Sequence, residues 1–248
     1  MPRYRVTIEY DGTPFVGWQR QTNGPSVQAA IEAALPKFTG ETPEVTAAGR
    51  TDAGVHAAGQ VIHFDLARDF PARKICDALN WHLQPDPIAA LDAAVVADDF
   101  HARLSATRRE YRYRILLRRA RPVLVCDRVW HVGRALDLAA MQAAAAVLVG
   151  HHDFSTFRAS ECQAKSPVKT LDRLDVRQVD DEIHVFAAAR SFLHHQVRNL
   201  VGTLKLVGDG KWTPEDVAEA LAARDRTRGG PTAPPEGLCL MAVGYDGG

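Results

Sequence analysis

Three groups of side chains in this 248-residue chain have types and spacings suited to chemistry: an aspartate set between glycines, tyrosines alternating with arginines, and an arginine inside an apolar helical run. Asp52 lies in Gly49-Arg50-Thr51-Asp52-Ala53-Gly54-Val55-His56, where two glycines permit tight backbone paths. A carboxylate held by loop amides stays ionised and can act as a base or a nucleophile. The same residue type also builds ordinary Asx-turns, so the position alone does not decide between the two. Tyr111 and Tyr113 flank Arg112 in Glu110-Tyr111-Arg112-Tyr113-Arg114, a pattern that offers flat apolar rings next to cations. Alternatively, strand tyrosines are packed core residues. Arg198, within Val197-Arg198-Asn199-Leu200-Val201-Gly202, brings a guanidinium fork that matches a carboxylate, or else it is a solvated helix arginine. The pairs His151-His152 and His194-His195 sit in runs read as helix or its border, where neighbouring rings diverge by about 100° and do not share one ion. No metal site is expected from them.

Lys plus Arg (30) balances Asp plus Glu (30), so the total charge gives no hint of a polyanionic partner. The distribution does. From Arg103 to Arg121 there are eight arginines and a single acid, Glu110, while acids gather at Asp98-Asp99 and Asp180-Asp181-Glu182. Arginines interleaved with aromatics suit structured RNA, through phosphate contacts and base stacking together. A solvated strand face is the equal alternative; if the segment binds RNA, the expectation is a basic cleft with Asp52 at its floor and the acidic groups turned away. Cys76, Cys126, Cys162 and Cys239 are far apart with no C-x-x-C pair, and no apolar leader precedes Arg3 and Arg5, which suggests reduced thiols and a cytoplasmic protein. No apolar run approaches the roughly 20 residues that span a bilayer. The sequence carries no Walker loop, dinucleotide fingerprint or zinc-ligand spacing, so no cofactor is expected.

The elements that must position these residues follow from periodicity. Tyr4, Val6, Ile8 and Tyr10 alternate with polar residues, predicting a strand over 3–10 that ends at Asp11-Gly12-Thr13-Pro14. Ser26 caps a helix that Pro36 is expected to stop. Strands are predicted over 44–48, 61–64, 93–96 and 110–117, and helices over 72–81 and 137–149. A hairpin is predicted from 174–178 and 183–188, a helix from Ser191, and another from the cap Thr213-Pro214. Element order with hairpins favours an α+β fold, with two α/β-sandwich-like halves, 1–104 and 105–248, sharing a continuous mixed or antiparallel sheet.

The Gly49–His56 loop, continuing through Gln60 and Phe64, resembles the catalytic motif of the TruA family of tRNA pseudouridine synthases. Other blocks of that family stand in order: Arg5-Val6-Thr7-Ile8-Glu9-Tyr10-Asp11-Gly12-Thr13-Pro14-Phe15, Phe100-His101-Ala102-Arg103, Tyr111-Arg112-Tyr113, His152-Asp153-Phe154-Ser155, Phe192–Gly202 and Pro235-Glu236-Gly237-Leu238. The resemblance implies the pseudouridine synthase fold and an enzyme that works as a homodimer. It also implies isomerisation of uridine at positions 38, 39 and 40 of the tRNA anticodon stem-loop, without a cofactor. It assigns Asp52 as the catalytic carboxylate, Arg198 as its partner and Tyr111 as the surface on which the extruded uracil stacks. Arg50 would fill the gap left by the nucleotide, and Leu238 would pack on the base's other side. A glycoside or nucleoside hydrolase would also break an anomeric bond, but those enzymes need two carboxylates, and no second acid sits in a comparable motif. A non-catalytic RNA-binding protein of the same fold is the other alternative.

Overall fold

Alternation of apolar and polar residues over Arg3–Tyr10 produces β1, whose Tyr4, Val6, Ile8 and Tyr10 side chains are all at most 4% exposed. Each such burial contributes roughly 1.5–3 kcal/mol. The structure, a computed structural model, describes residues 1–246. Ser26 caps α1 (Val27–Thr39) by accepting the Ala29 N–H. The helix does not stop at Pro36. It runs on to Gly40, whose left-handed backbone (φ 74°) closes the end, because Leu35 and Thr39 are buried and hold the last turn despite the donor that proline lacks.

The strand expected over 44–48 shrinks to β2 (Thr46–Ala47), which pairs antiparallel with the longer β3 (His56–Asp65). Helix α2 (Ala72–His82) buries Ile75 and Leu79, and β4 (Ile88–Val96) follows the Pro85-Asp86-Pro87 break. Strand β1 lies between β3 and β4, antiparallel to both.

The strand rich in tyrosine and arginine is β5 (Ala106–Leu116), with β6 (Trp130–His131) parallel to its end. Asp137 caps α3 (Leu138–Leu148) through the Ala140 N–H. Strand β7 (Gly150–Asp153) pairs antiparallel with β8 (Val168–Val179), which turns at Asp180 (φ 52°) into β9 (Glu182–Ala189); β9 in turn pairs with β5. Helix α4 (Gln196–Gly208) starts later than Ser191, because His195 takes a left-handed backbone (φ 60°) and the preceding residues are irregular. Helix α5 (Pro214–Ala223) begins with a capping box between Thr213 and Asp216. The last strand, β10 (Leu238–Tyr245), runs parallel to β3 at Cys239 and Leu240.

The described residues therefore form ten strands and five α-helices with mixed strand pairing, an α+β architecture. The chain divides into two compact units, Met1–Thr107 with the strand from Cys239 onward, and Arg108–Leu238. In the first, Ala48, Val61 and Ala102 form a core against which Phe100, Val243 and Tyr245 pack, and the Tyr245 hydroxyl donates to the Ala102 carbonyl. In the second, α3 packs against α4, α5 and β8. No helix among the described residues is long and apolar enough to cross a membrane.

One ion cluster fastens the end of α4. The Asp209 carboxylate, 2% exposed, accepts from Lys205 Nζ (2.7 Å) and from the Arg134 guanidinium (2.8 and 3.0 Å). Burial pushes its pKa up, but the Lys205 and Arg134 hydrogen bonds outweigh that and hold it below the ordinary carboxylate value. A depressed folded-state pKa stabilises the fold above the unfolded-state value, and that contribution disappears as pH falls through the folded one. Asp209→Asn is expected to lower stability at pH 7 by about 1–3 kcal/mol. Denaturant melts at stepped pH should show the gap to the parent chain closing below about pH 4.

Candidate active site

Asp52 sits at a turn between β2 and β3, and the loop that follows β1 builds the frame around it. The Asp52 carbonyl accepts the Val55 N–H (3.1 Å), and Gly54 takes φ 74° to complete the turn. Gly12 lies directly against this turn: a Cβ there would stand 2.1 Å from the Val55 oxygen. Its N–H reaches His56 Nδ1 (3.1 Å), with Asp11 Oδ1 also 3.1 Å from that nitrogen. On the other side, Gly17 (φ 114°) has room only for hydrogen against the Thr51 carbonyl, which accepts the Trp18 N–H at 3.0 Å. Tyr10 shares a hydrogen bond with the Thr51 hydroxyl (2.8 Å), and burial pushes the Tyr10 phenol up to about 12, keeping it neutral. Gln60 Nε2 donates to the Gly49 carbonyl (2.7 Å) from β3. This backbone frame positions Asp52 half-buried, beside an exposed Arg50.

In the second unit, the stretch of β5 from Glu110 to Ile115 puts its tyrosines and arginines on opposite faces, while the buried Arg109 lies on the tyrosine face. Tyr111, Tyr113 and Ile115 share one side, and Arg112 and Arg114 the other. Tyr111 is half-buried, with the edge of its ring against Phe192 (centroids 5.2 Å apart). Tyr113 is fully buried, donates to the Pro234 carbonyl (2.7 Å) and has its phenol pKa raised by burial. Its burial makes it a packing residue, with Trp130 edge-on to its ring (centroids 6.3 Å apart). Arg198, in the first turn of α4, donates through Nε to the Ala233 carbonyl (2.8 Å), and its own carbonyl accepts the Ala233 N–H (3.1 Å). Leu238, 5% exposed, opens β10 just after the Pro235–Leu238 turn.

The arginine-rich segment is less bare than its composition implies. Arg109 is buried and donates to the Arg190 carbonyl; Arg108 pairs with Glu110 (2.8 Å). Arg114 makes a two-point pair with Glu182 (2.6 and 2.7 Å), to which His184 also bonds, and Asp181 is 3.6 Å from Arg118. The acids at 181–182 therefore do not face away. The hairpin that carries them is the strand partner of β5, so they meet its arginines directly. Arg103, Arg119 and Arg121 are exposed. The histidine pairs also differ from expectation, since neither lies within a helix: His151 and His152 are on β7, and His194 and His195 precede α4 with ring centroids 4.0 Å apart.

Comparison with known proteins decides the family. A family model described as tRNA pseudouridine synthase matches residues 6–104 and 144–246. The chain belongs to the tRNA pseudouridine synthase family. A "tRNA pseudouridine synthase A" of Paramagnetospirillum magneticum is 62% identical over 245 residues, 99% of this chain and 96% of that one. Proteins of the same name from Rhodospirillum rubrum and Caulobacter sp. are each 60% identical over 247 residues, all of this chain and 89% and 99% of theirs. Within the synthase family match, Arg50 and Asp52 fall in the first matched stretch, and Arg198 and Leu238 in the second. Tyr111 falls between the two stretches.

Sequence reasoning did not single out Gly12, Gly17 or His56 as builders of the Asp52 loop. The paired glycines of Asp11–Trp18 are the signal, legible only once close backbone approach is considered.

Proposed function

We propose that this chain isomerises uridine to pseudouridine in the anticodon stem-loop of tRNA, at positions 38, 39 and 40, with Asp52 as the catalytic carboxylate. The intact Gly49–His56 loop, lying inside the first family match and framed by the backbone of residues 11–18, carries this reading. The reaction breaks the N1–C1′ bond, turns the freed uracil and joins C5 to C1′. C5 loses its proton and N1 gains one, so the product is an isomer and needs no cofactor. An ionised carboxylate beside ribose and base is the one reactive group required, whether it attacks carbon or moves a proton.

The other assignments rest on the family resemblance. By that resemblance Arg198 is the partner of the catalytic carboxylate, Arg50 occupies the space left by the extruded nucleotide, and Tyr111 and Leu238 sandwich the base. The catalytic loop then belongs to the half 1–104, and Tyr111 and Arg198 to the half 105–248. We further infer a homodimer acting in the cytoplasm. Treating unmodified tRNA with the purified chain and mapping pseudouridine by reverse-transcription stops after carbodiimide derivatisation tests the reading. Stops at 38–40 support it, and stops elsewhere or none contradict it.

Tyr111→Leu is expected to slow single-turnover conversion by roughly 5- to 150-fold, the equivalent of the 1–3 kcal/mol that one stacked base contributes. Tyr111→Phe keeps the ring and most of the rate. Rapid-quench measurement on both variants checks the difference.

A further inference from the structure

A continuous hydrogen-bond network, buried at Asn199, Thr203 and Gly230 and half-buried at Arg226 and Thr232, runs beside Arg198 and is built from residues that the proposed chemistry leaves unused. Asn199, fully buried, donates through Nδ2 to the Phe157 carbonyl (2.9 Å). Its Oδ1 accepts from the Thr232 hydroxyl (2.7 Å) and from the Arg226 guanidinium (3.2 Å). Arg226 also donates to the Gly230 carbonyl (2.9 Å) and to the Thr232 hydroxyl (3.3 Å). Thr203 donates its hydroxyl to the Asn199 carbonyl (2.8 Å) and accepts the Gly230 N–H (3.1 Å).

These bonds press residues 229–234 onto α4. Gly202 has no space for a Cβ, which would stand 1.8 Å from the Pro231 carbonyl oxygen, and a Cβ on Gly230 would stand 2.6 Å from the Thr203 hydroxyl. Ala233, which follows Thr232, holds Arg198 at two points, through the guanidinium Nε and the backbone carbonyl. Pro234 then accepts the Tyr113 hydroxyl, and Gly237 lies against the Tyr113 ring. One strap thus touches Arg198, bonds to Tyr113, and leads into Leu238.

We propose that Arg226, acting through Thr232 and Asn199, is a positioning residue that fixes the Ala233 carbonyl and thereby the orientation of the Arg198 guanidinium. This rests on the assignment of Arg198 to the uridine site. Arg226 is half-buried in a stretch whose neighbours Asp225, Thr227 and Arg228 are exposed, and its guanidinium makes three bonds inward. A fork with several rigid donors suits that task, whereas a lysine could not reproduce it. Loss of the fork frees the strap, and an ångström of drift at a group that must meet a reacting centre is costly.

The test is a double-substitution cycle on the full chain, read by single-turnover pseudouridine formation, tRNA affinity and thermal melting. Arg226→Met is expected to slow the chemical step by roughly 10- to 100-fold with tRNA affinity held within about twofold. In an Arg198→Lys background the same change should cost nothing further, since it acts through Arg198. Thr232→Val, which removes one hydroxyl at nearly constant volume, should give a smaller loss of the same kind, and Thr232→Ser should restore the rate. That pair carries the test if Arg226→Met fails to fold. Equal costs of Arg226→Met in both backgrounds, or a loss confined to affinity, would overturn the proposal. Full activity in Arg198→Lys would remove Arg198 from the reaction and this inference with it. A slow Arg198→Lys beside unimpaired Arg226→Met and Thr232→Val would overturn this inference alone.

Discussion

Asp52→Asn is expected to lose pseudouridine formation by roughly 10⁴-fold or more while still binding tRNA. Asparagine has the size of aspartate and keeps one oxygen acceptor, so a residue that merely shaped an Asx-turn would tolerate the change. Backbone bonds close this turn: Val55 N–H meets the Asp52 carbonyl, and the flanking positions are held by Gly12, Trp18 and Gln60. Loop geometry should survive, and only the negative charge disappears. Rapid-quench assays with gel-shift affinity on the same preparation separate the two readings. Appreciable product from Asp52→Asn would remove the carboxylate from the chemistry.

Gly12→Ala is expected to show the converse, a damaged frame around an unchanged Asp52. A Cβ at this position would stand 2.1 Å from the Val55 oxygen and 2.5 Å from the Val55 carbonyl carbon, both backbone atoms that cannot swing aside. The two loops must part. Overpacking of this kind costs about 1–3 kcal/mol, and a shift of about an ångström in Asp52 should cost on the order of 100-fold in rate. Gly40→Ala provides the control. That glycine has φ 74° but open space around it, so the change strains the end of α1 by roughly 1 kcal/mol and leaves the rate alone. Melting curves and single-turnover rates on both variants check the contrast; similar rates in Gly12→Ala and the parent chain would refute the framing role.

Local patterns carried much of this architecture because the relevant physics is local. The period-two alternation over Arg3–Tyr10, the Ser26, Asp137 and Thr213 caps, and the turn at Asp180 each depend on a few adjacent residues. Tertiary packing overrode the pattern elsewhere. Buried Leu35 and Thr39 carry α1 past Pro36, and α4 waits until Gln196 because His195 adopts a left-handed backbone. Strand β10 exists through a partner far away in sequence, β3, and β7 is only four residues long, so their own residues carry no decisive signal. Charge was misread for a related reason. Glu182 looked like a hairpin acid remote from the arginines, yet strand pairing sets it opposite Leu116 and beside Arg114. At the site, Asp52 and Arg198 stood out through their motifs, whereas Arg226, Thr232 and Asn199 matter only once a strap folds back over α4, which no spacing along the chain reveals.

The central claim is tested most directly by incubating the purified chain with tRNA carrying tritium at uridine C5, with no added cofactor. Isomerisation joins C5 to C1′ and expels that hydrogen, so the account predicts tritium release into water with the tRNA strand intact and no free base. Release of free uracil, or retention of all tritium by fully folded protein on unmodified tRNA, would contradict it.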